Sequence, residues 1–264
     1  MMKKNNAFVL TDLEGISGVS TMDEVMRAAD PEYLYVRENL MRDTNAAIDA
    51  LFSSGAERVF VLDGHGGGDN FIDGALDRRA KRVSIRELPE VMPEVGCVLM
   101  IGMHARSGSE TAFLDHTQSS MKIHNYYYNG EPISELHQFG VYAAAFDAPV
   151  VMLSGDEAVC LEANAVFGEI PTAAVKVASS RNFAECYPTE LSKSRIRSAA
   201  SEGFLKREEI KPLKYTLPLR ISVEYNRSDY CEEVLFCRSD LVRTDGRTLE
   251  RISEKIVTYF DVLL

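Results

Sequence analysis

The sequence predicts an α/β fold, in which a mostly parallel sheet is flanked by helices and followed by a smaller C-terminal α+β lobe. Over most of the chain, short apolar runs of strand character alternate with longer stretches of helical periodicity. Residues 97–103 (CVLMIGM) are apolar almost throughout, as expected for a strand buried on both faces of a parallel sheet. From Pro188 onward the chain is richer in Lys, Arg and Ser, and its predicted strands alternate more clearly.

The first 62 residues predict a strand, a helix and a second strand. The apolar run at residues 8–10 gives the first strand, and residues 31–53 carry apolar side chains near the helical period. The β-branched and aromatic run at residues 58–62 gives the second strand, so the three elements have the order of a right-handed parallel crossover. The apolar stripe predicted for the helix consists of Leu34, Leu40, Met41, Ile48, Leu51 and Phe52.

The same alternation predicts the remaining elements. Further strands are predicted at residues 83–86, 97–103, 122–128, 150–153 and 173–177. Two further helices are predicted, one capped by Ser134 and running from Glu135 to about residue 146, the other following Asp156 to about residue 166.

We expect residues 1–187 to form the main α/β domain and residues 188–264 to form the smaller α+β lobe. In that lobe the pattern predicts a helix at residues 188–204, a charged linker at 206–211, strands at 217–225 and 234–237, and a helix at 248–264. The stripe of the last helix consists of Leu249, Ile252, Ile256, Phe260 and Leu263.

Composition and charge exclude several classes of partner. The chain carries 29 Lys and Arg against 40 Asp and Glu, and it has no dense basic run, so we expect no nucleic-acid partner. The N-terminal apolar stretch is too short for a signal peptide and no later segment approaches a membrane span, so we expect no membrane partner. Five scattered cysteines without a C-x-x-C pair indicate reduced thiols in a cytoplasmic protein. Any metal ion would therefore be held by His, Asp and Glu.

Polar side chains stand at the ends of three predicted strands. Asp12 and Glu14 end the first strand, and because strand side chains alternate between faces, these two point the same way. Asp63 and His65 repeat this spacing after the second strand, and His104 ends the long apolar run. Because ligands collect at the carboxyl ends of parallel strands, we expect these groups to converge on one edge of the sheet. The alternative for each of them is solvation of a strand end or capping of a turn.

The residues at this edge have the composition of a hydrolytic zinc site. Imidazole and carboxylate ligands without thiolate are typical of catalytic rather than structural zinc. Five ligands are too many for one tetrahedral ion that keeps a position open for water, so we predict two ions bridged by a carboxylate such as Asp12. His116 lies beside this set in the Gly-, Ser- and Thr-rich stretch 105–122. The five predicted metal ligands are Asp12, Glu14, His65, His104 and Glu135.

Other polar residues near these motifs receive different predictions. His124 lies in an alternating run and is expected to be a packed or edge residue, and His137 lies about 200° round the predicted helix from Glu135, so both are left out of the site. Asp63 is expected to orient His65 or to cap a turn.

Two basic residues after the strand at 173–177 are candidates for holding a substrate carboxylate. They are Lys176 and Arg181, and the alternative for both is a solvated surface position.

Six short motifs follow one another between residues 11 and 176. They are TDLEGISG at 11–18, DGHG at 63–66, GMHAR at 102–106, DHT at 115–117, NGEPISE at 129–135 and TAAVK at 172–176. In this order they resemble the DppA-type zinc D-aminopeptidases. The first and fifth motifs are the distinctive ones.

This resemblance implies a role for each site residue. One zinc ion would be held by the positions matching Asp12, Glu14 and His65. The second would be held by the positions matching Asp12, His104 and Glu135. The position of His116 would supply a catalytic histidine. The resemblance also implies a ring-like homo-oligomer, with a decamer as the candidate assembly.

The sequence therefore predicts a cytoplasmic zinc aminopeptidase that hydrolyses the amino-terminal residue of small peptides with a zinc-activated water. A D-amino acid at that terminus is the preference that the resemblance implies. His116 is expected to shuttle the proton, and nucleophilic attack by this histidine is the alternative. Two other hypotheses stay open: a two-metal hydrolase of a non-peptide amide or ester, and a metal-containing binding or scaffold protein. His116 argues against the second, because holding metal alone does not require it.

Overall fold

The computed structural model describes residues 4–26 and 33–264. Seven helices lie in this part of the chain: α1 Met22–Met26, α2 Tyr33–Ser53, α3 Leu88–Val91, α4 Glu135–Ala144, α5 Glu157–Phe167, α6 Thr189–Leu205 and α7 Ser228–Cys237. The strands of the same part are β1 Asn6–Thr11, β2 Arg58–Asp63, β3 Lys81–Arg82, β4 Val95–Met103, β5 Ile123–Tyr128, β6 Glu131–Pro132, β7 Val150–Asp156, β8 Thr172–Ser180, β9 Phe183–Cys186, β10 Leu219–Tyr225, β11 Val242–Arg243 and β12 Thr248–Ser253.

The larger sheet has seven strands in the order β3-β2-β1-β4-β7-β8-β9. Its pairings are parallel except for that of β8 with β9, so the predicted mostly parallel sheet is confirmed. Strand β1 lies between β2 and β4, and Thr11 at its end is in register with Asp63 and with Ile101. The carboxyl ends of these three strands therefore meet at one edge of the sheet.

Both faces of the larger sheet are covered, which explains the near-continuous apolar runs. Along β1, Phe8 and Leu10 face one hydrophobic core while Ala7 and Val9 face the other. Residues of α2 and α6 fill the second core, and residues of α4 and of the smaller sheet fill the first. In the predicted stripe of α2, Leu34 is instead exposed. The predicted start of this helix at residue 31 lies outside the described residues.

The smaller sheet has five antiparallel strands in the order β11-β12-β10-β5-β6. It combines strands from the C-terminal part of the chain with β5 and β6 from the middle. Helix α6, from the C-terminal part, packs instead on the larger sheet, where Ile196 and Phe204 are buried. The predicted boundary between a main domain at residues 1–187 and a smaller lobe at residues 188–264 stays a prediction.

Three predicted elements are wrong. Residues 83–86 form no strand, because the Glu87 carboxylate accepts hydrogen bonds from the Ser84 main chain and hydroxyl and so stabilises a 3-10 turn, Ile85–Glu87. The predicted strand at 234–237 belongs to helix α7.

The third error is the helix predicted at 248–264. Strand β12 forms there instead and places Leu249 beside Val223 of β10. Ile252 is 53% exposed and Phe260 is 56% exposed, so the apparent helical stripe does not face one core. A 3-10 turn, Tyr259–Val262, follows.

In the described part of the chain, no helix is both long enough and apolar enough to cross a bilayer.

Candidate active site

The segment after β1 is held against the end of β4 by main-chain hydrogen bonds. The amide of Asp12 donates to Ile101 O at 2.8 Å, and the amide of Gly15 donates to Gly102 O at 2.8 Å. A Cβ atom at Gly15 would lie 1.9 Å from Met103 O, so only glycine permits this approach. The close approach brings the carboxylates of Asp12 and Glu14, which precede this glycine, to the strand edge.

A buried lysine and a buried aspartate fix the same segment from the other side. Lys176 Nζ donates to the main-chain oxygens of Glu14 and Val19, both at 2.7 Å. The Asp43 carboxylate accepts from the Ser17 amide at 2.7 Å and from its hydroxyl at 2.6 Å. Because Lys176 is fully buried on these carbonyls, its prediction as a substrate-carboxylate ligand is wrong.

The first cluster of predicted ligands consists of Asp12, Glu14 and His65. His65 Nδ1 lies 3.0 Å from Asp12 Oδ1 and 3.0 Å from Glu14 Oε2. The loop that carries His65 is held by Asp63, whose carboxylate accepts from the main-chain and side-chain nitrogens of Asn70. Asn70 Nδ2 in turn donates to His65 O at 2.8 Å. Asp63 therefore orders the loop rather than touching the imidazole.

The second cluster of predicted ligands consists of Asp12, His104 and Glu135, with His104 at its centre. The Nδ1 of His104 donates to Ala105 O at 3.0 Å, which directs Nε2 into the site. Nε2 lies 3.3 Å from Asp12 Oδ2 and 3.4 Å from Glu135 Oε1. Asp12 thus directs one carboxylate oxygen to each cluster.

His116 lies against the second cluster. Its ring stacks on His104 with centroids 3.9 Å apart and planes 8° apart. Nδ1 donates to Leu114 O at 2.7 Å, so Nε2 is free to accept and lies 4.0 Å from Glu14 Oε1. The possible ligand atoms of His104, His116 and Glu135 lie within 4.8 Å of one another, as do those of the first cluster.

Burial and charge alter the ionisation of these groups. Burial, helped by the Glu14 carboxylate, raises the pKa of Asp12 to about 7. Burial opposes ionisation of Glu135, but hydrogen bonding and charge from His104 lower its pKa to about 2. Burial also opposes protonation of His65, yet Glu14 and Asp12 raise its pKa to about 12. The carboxylates therefore attract positive charge into the site.

His116 is the exception among these histidines. Burial, reinforced by the neighbouring charge of His104, lowers the pKa of His116. It is therefore the histidine of the site that stays neutral near pH 7, with a free ring nitrogen.

The donor set fits two divalent ions. Imidazole nitrogen and carboxylate oxygen are the ligands that zinc takes in hydrolytic sites, and the two oxygens of Asp12 are already divided between the two clusters. Each cluster offers three potential ligand atoms, with Asp12 common to both, and His116 lies beside the second as a further possible ligand. Three protein ligands per ion leave coordination positions for water and substrate.

All six predicted site side chains line one cavity of about 1230 Å³. The cavity is also lined by residues that sequence reasoning missed. The main-chain N–H of Gln118 donates to Glu135 Oε1 at 2.7 Å, and Tyr259 reaches the cavity from the C-terminal 3-10 turn. Gln118 has a positive φ of 65°, which no sequence signal indicated. Tyr259 was missed because its segment was predicted as a helix of the second lobe.

The two histidines left out of the site lie outside both ligand clusters. His137 Nδ1 accepts from the Ser134 amide at 3.2 Å at the start of α4, and burial lowers the pKa of His137 to about 4. His124 is exposed on β5, at the wall of the cavity.

Comparisons with known proteins agree with this geometry. The model of peptidase family M55, described as D-aminopeptidase, matches residues 6–264. The D-aminopeptidase of Bacillus subtilis (strain 168) is 25% identical over 264 residues, covering 97% of this chain and 94% of that protein. The structure of the Zn-dependent D-aminopeptidase DppA from Bacillus subtilis, a self-compartmentalizing protease, superposes with a TM-score of 0.90 at 22% identity. The match covers 98% of this chain and 95% of that chain. Since the family model spans nearly the whole chain, this protein belongs to the D-aminopeptidase family.

Proposed function

We propose that this protein is a metal-dependent aminopeptidase that removes the amino-terminal residue, a D-amino acid, from small peptides. The observation that carries the proposal is the buried Asp12, which directs its two carboxylate oxygens to two separate His and carboxylate clusters. The two clusters share a cavity of about 1230 Å³, which has room for a short peptide.

We propose two zinc ions per chain. Asp12, Glu14 and His65 would hold one ion. Asp12, His104 and Glu135 would hold the other. Bound there, the ions would polarise the scissile carbonyl and lower the pKa of a water molecule.

His116 is placed to move protons in this reaction. With Nδ1 donating to Leu114 O, Nε2 accepts a proton from the attacking water and then returns it to the leaving amine. The lowered pKa of His116 keeps it neutral, as a general base must be. Its ring is held by stacking on His104, so it needs no rearrangement to reach the site.

The test of this function is a screen of L- and D-aminoacyl dipeptides with the zinc-loaded protein. We expect hydrolysis, with faster turnover of peptides that carry an amino-terminal D-residue. Failure to hydrolyse any peptide with zinc bound would contradict the proposal and favour a binding or scaffold role.

The requirement for a free amino terminus separates an aminopeptidase from a general amidase. N-acetylated dipeptides should react at least about 10-fold more slowly than their free counterparts, because acetylation removes the ammonium group that the acidic, metal-binding end of the cavity receives. Equal rates in a steady-state assay would favour the alternative two-metal amide or ester hydrolase.

We also propose a ring-like homo-oligomer, with a decamer as the candidate, in a cytoplasmic location. The self-compartmentalizing assembly of the solved relative supports the oligomer. The five cysteines are free thiols, which supports a reducing compartment. Light scattering on the protein as it elutes from a size-exclusion column would give the number of subunits.

A further inference from the structure

Arg181 is held by Asp115, the residue next to His116, which is the histidine proposed to transfer protons. It lies in the turn between β8 and β9, where its main-chain oxygen accepts from the Leu114 amide at 2.7 Å. Its Nε lies 2.9 Å from Asp115 Oδ1, and one terminal nitrogen donates to Asp115 O at 3.2 Å. The other terminal nitrogen donates to Asn182 Oδ1 at 3.0 Å. The guanidinium is therefore clamped to the residue that directly precedes His116.

The clamp leaves part of the guanidinium available to a ligand. Arginine has five N–H groups, and the contacts with described residues use three of them. The side chain of Arg181 is 44% exposed and lines the cavity. The second oxygen of Asp115 accepts from the Gly108 amide at 2.7 Å, so Asp115 is itself fixed. Arg181 thus presents two further N–H groups in a set orientation, on a guanidinium whose charge is partly compensated by Asp115.

The direction of peptide hydrolysis determines which part of the substrate would lie near Arg181. His116 returns a proton to the leaving amine, so the part of the peptide beyond the scissile bond must lie on the side of His116. In a dipeptide that part is a single amino acid, which carries the leaving amine and the carboxylate together. A cation held by Asp115, which directly precedes His116, is therefore on the side of the cavity where the carboxylate of the leaving amino acid would lie.

We infer, on the basis of the proposed function, that Arg181 binds the C-terminal carboxylate of the substrate and so makes the enzyme selective for dipeptides with a free carboxyl end. A guanidinium suits this role, because it pairs with a carboxylate through charge-assisted hydrogen bonds. Longer peptides and peptide amides would place a neutral group at this position.

The same cavity contains a matched control. Among the described residues that line it, the second Arg or Lys side chain is Arg82. Arg82 donates to Gly68 O at 2.6 Å and lies over the Phe71 ring, 5.3 Å from its centroid. These contacts place it by the loop that carries His65, away from the residues that surround His116.

The experiment compares an aminoacyl dipeptide with its C-terminal carboxamide in the zinc-loaded wild type, Arg181→Gln and Arg82→Gln. For Arg181→Gln we expect kcat/KM for the free acid to fall about 10- to 100-fold, mainly through KM, as for the loss of a charge-assisted pair. We expect kcat/KM for the carboxamide to stay within about 3-fold of wild type, because that substrate has no carboxylate to lose. Arg82→Gln should leave the ratio of acid to amide unchanged.

Equal losses on both substrates in Arg181→Gln would overturn the inference, because they would indicate general damage to the site. A changed ratio in Arg82→Gln with none in Arg181→Gln would also overturn it and assign the carboxylate to Arg82. Zinc content and melting temperature are measured on each variant, so that the carboxamide rate refers to an intact site. A wild type that hydrolyses both substrates without preferring the acid contradicts the inference alone. A wild type that hydrolyses neither contradicts the proposed function.

Discussion

Replacing Lys176 by methionine tests whether a buried ammonium group holds the segment that carries Glu14. The Lys176 side chain is fully buried, and its Nζ donates to Glu14 O and to Val19 O, both at 2.7 Å. Methionine keeps the length and the apolar character of the lysine stem but removes the ammonium group. Lys176→Met therefore removes the ammonium donor from both oxygens, and Val19 O keeps only the weaker Cys186 thiol at 3.1 Å.

The expected cost follows from these contacts. A hydrogen bond to a charged group contributes about 1.5–3 kcal/mol, and a buried group left without a partner costs about 1–3 kcal/mol. Burial lowers the pKa of Lys176 to about 8, so holding the charge also costs free energy and offsets part of the gain. We expect the free energy of unfolding near pH 7 to fall by about 2–4 kcal/mol.

Urea denaturation in a fixed excess of zinc measures this difference, and zinc content at limiting metal measures the effect on the first cluster. Lys206→Met is the matched control, because Lys206 is exposed and pairs with Glu202 four residues earlier on the surface, at 2.7 Å. That variant should stay close to the wild type in stability, because an exposed surface ion pair contributes little. A Lys176→Met protein as stable as Lys206→Met, with unchanged zinc content, would refute the reasoning.

Two further predictions concern the site itself. His116→Ala should lower kcat by about 10² to 10⁴ while zinc content and melting temperature stay near wild type. His104→Ala should lower kcat, zinc content and melting temperature together, because a lost ligand weakens metal binding and bound metal stabilises the fold. Loss of zinc in step with activity in His116→Ala, measured by metal analysis, would identify this histidine as a ligand. Gly15→Ala should lower zinc content and activity, because its Cβ would lie 1.9 Å from Met103 O, whereas Gly67→Ala, with open space around that position, should keep both. Equal zinc content and activity in these two glycine variants would contradict the packing argument.

The strand-end residues could be predicted because their signals are local. Asp12 and Glu14 follow an apolar run directly and are separated by one residue, so their side chains point the same way from the end of a strand. His104 ends a run that is apolar enough to identify a fully buried strand. In a parallel sheet, all such ends meet at one edge.

The contacts that order these residues are not visible in the sequence. Lys176 lies 162 positions after Glu14, and its role depends on full burial against main-chain oxygens, which composition and spacing do not reveal. Asp43 supports the same segment from α2, a helix whose own pattern indicates only an apolar face. Long-range hydrogen bonds of this kind follow from the packing of whole elements.

The C-terminal part was misread because strand and helix patterns overlap in short apolar segments. Leu249 and Ile252 have helical spacing, yet Leu249 pairs across to Val223 and Ile252 is exposed on the outer side. The partner of Leu249 on β10, Val223, lies 26 positions before Leu249, and the partner of Val223 on β5, Tyr126, lies 97 positions earlier still. Tertiary pairing therefore decides the structure of this segment, and it also brings Tyr259 to the cavity.

The proposed mechanism requires two divalent ions on each chain while the enzyme is active. The decisive measurement is metal analysis combined with peptide hydrolysis on protein stripped with a chelator and then titrated with zinc. We expect no hydrolysis by the stripped protein, uptake of two ions per chain, and full activity only when both are bound. The variant Asp12→Asn, in which a neutral amide replaces the carboxylate shared by both clusters, should fail to retain the pair. Full activity with one ion or none, or a wild-type chain that never holds two, would contradict the account.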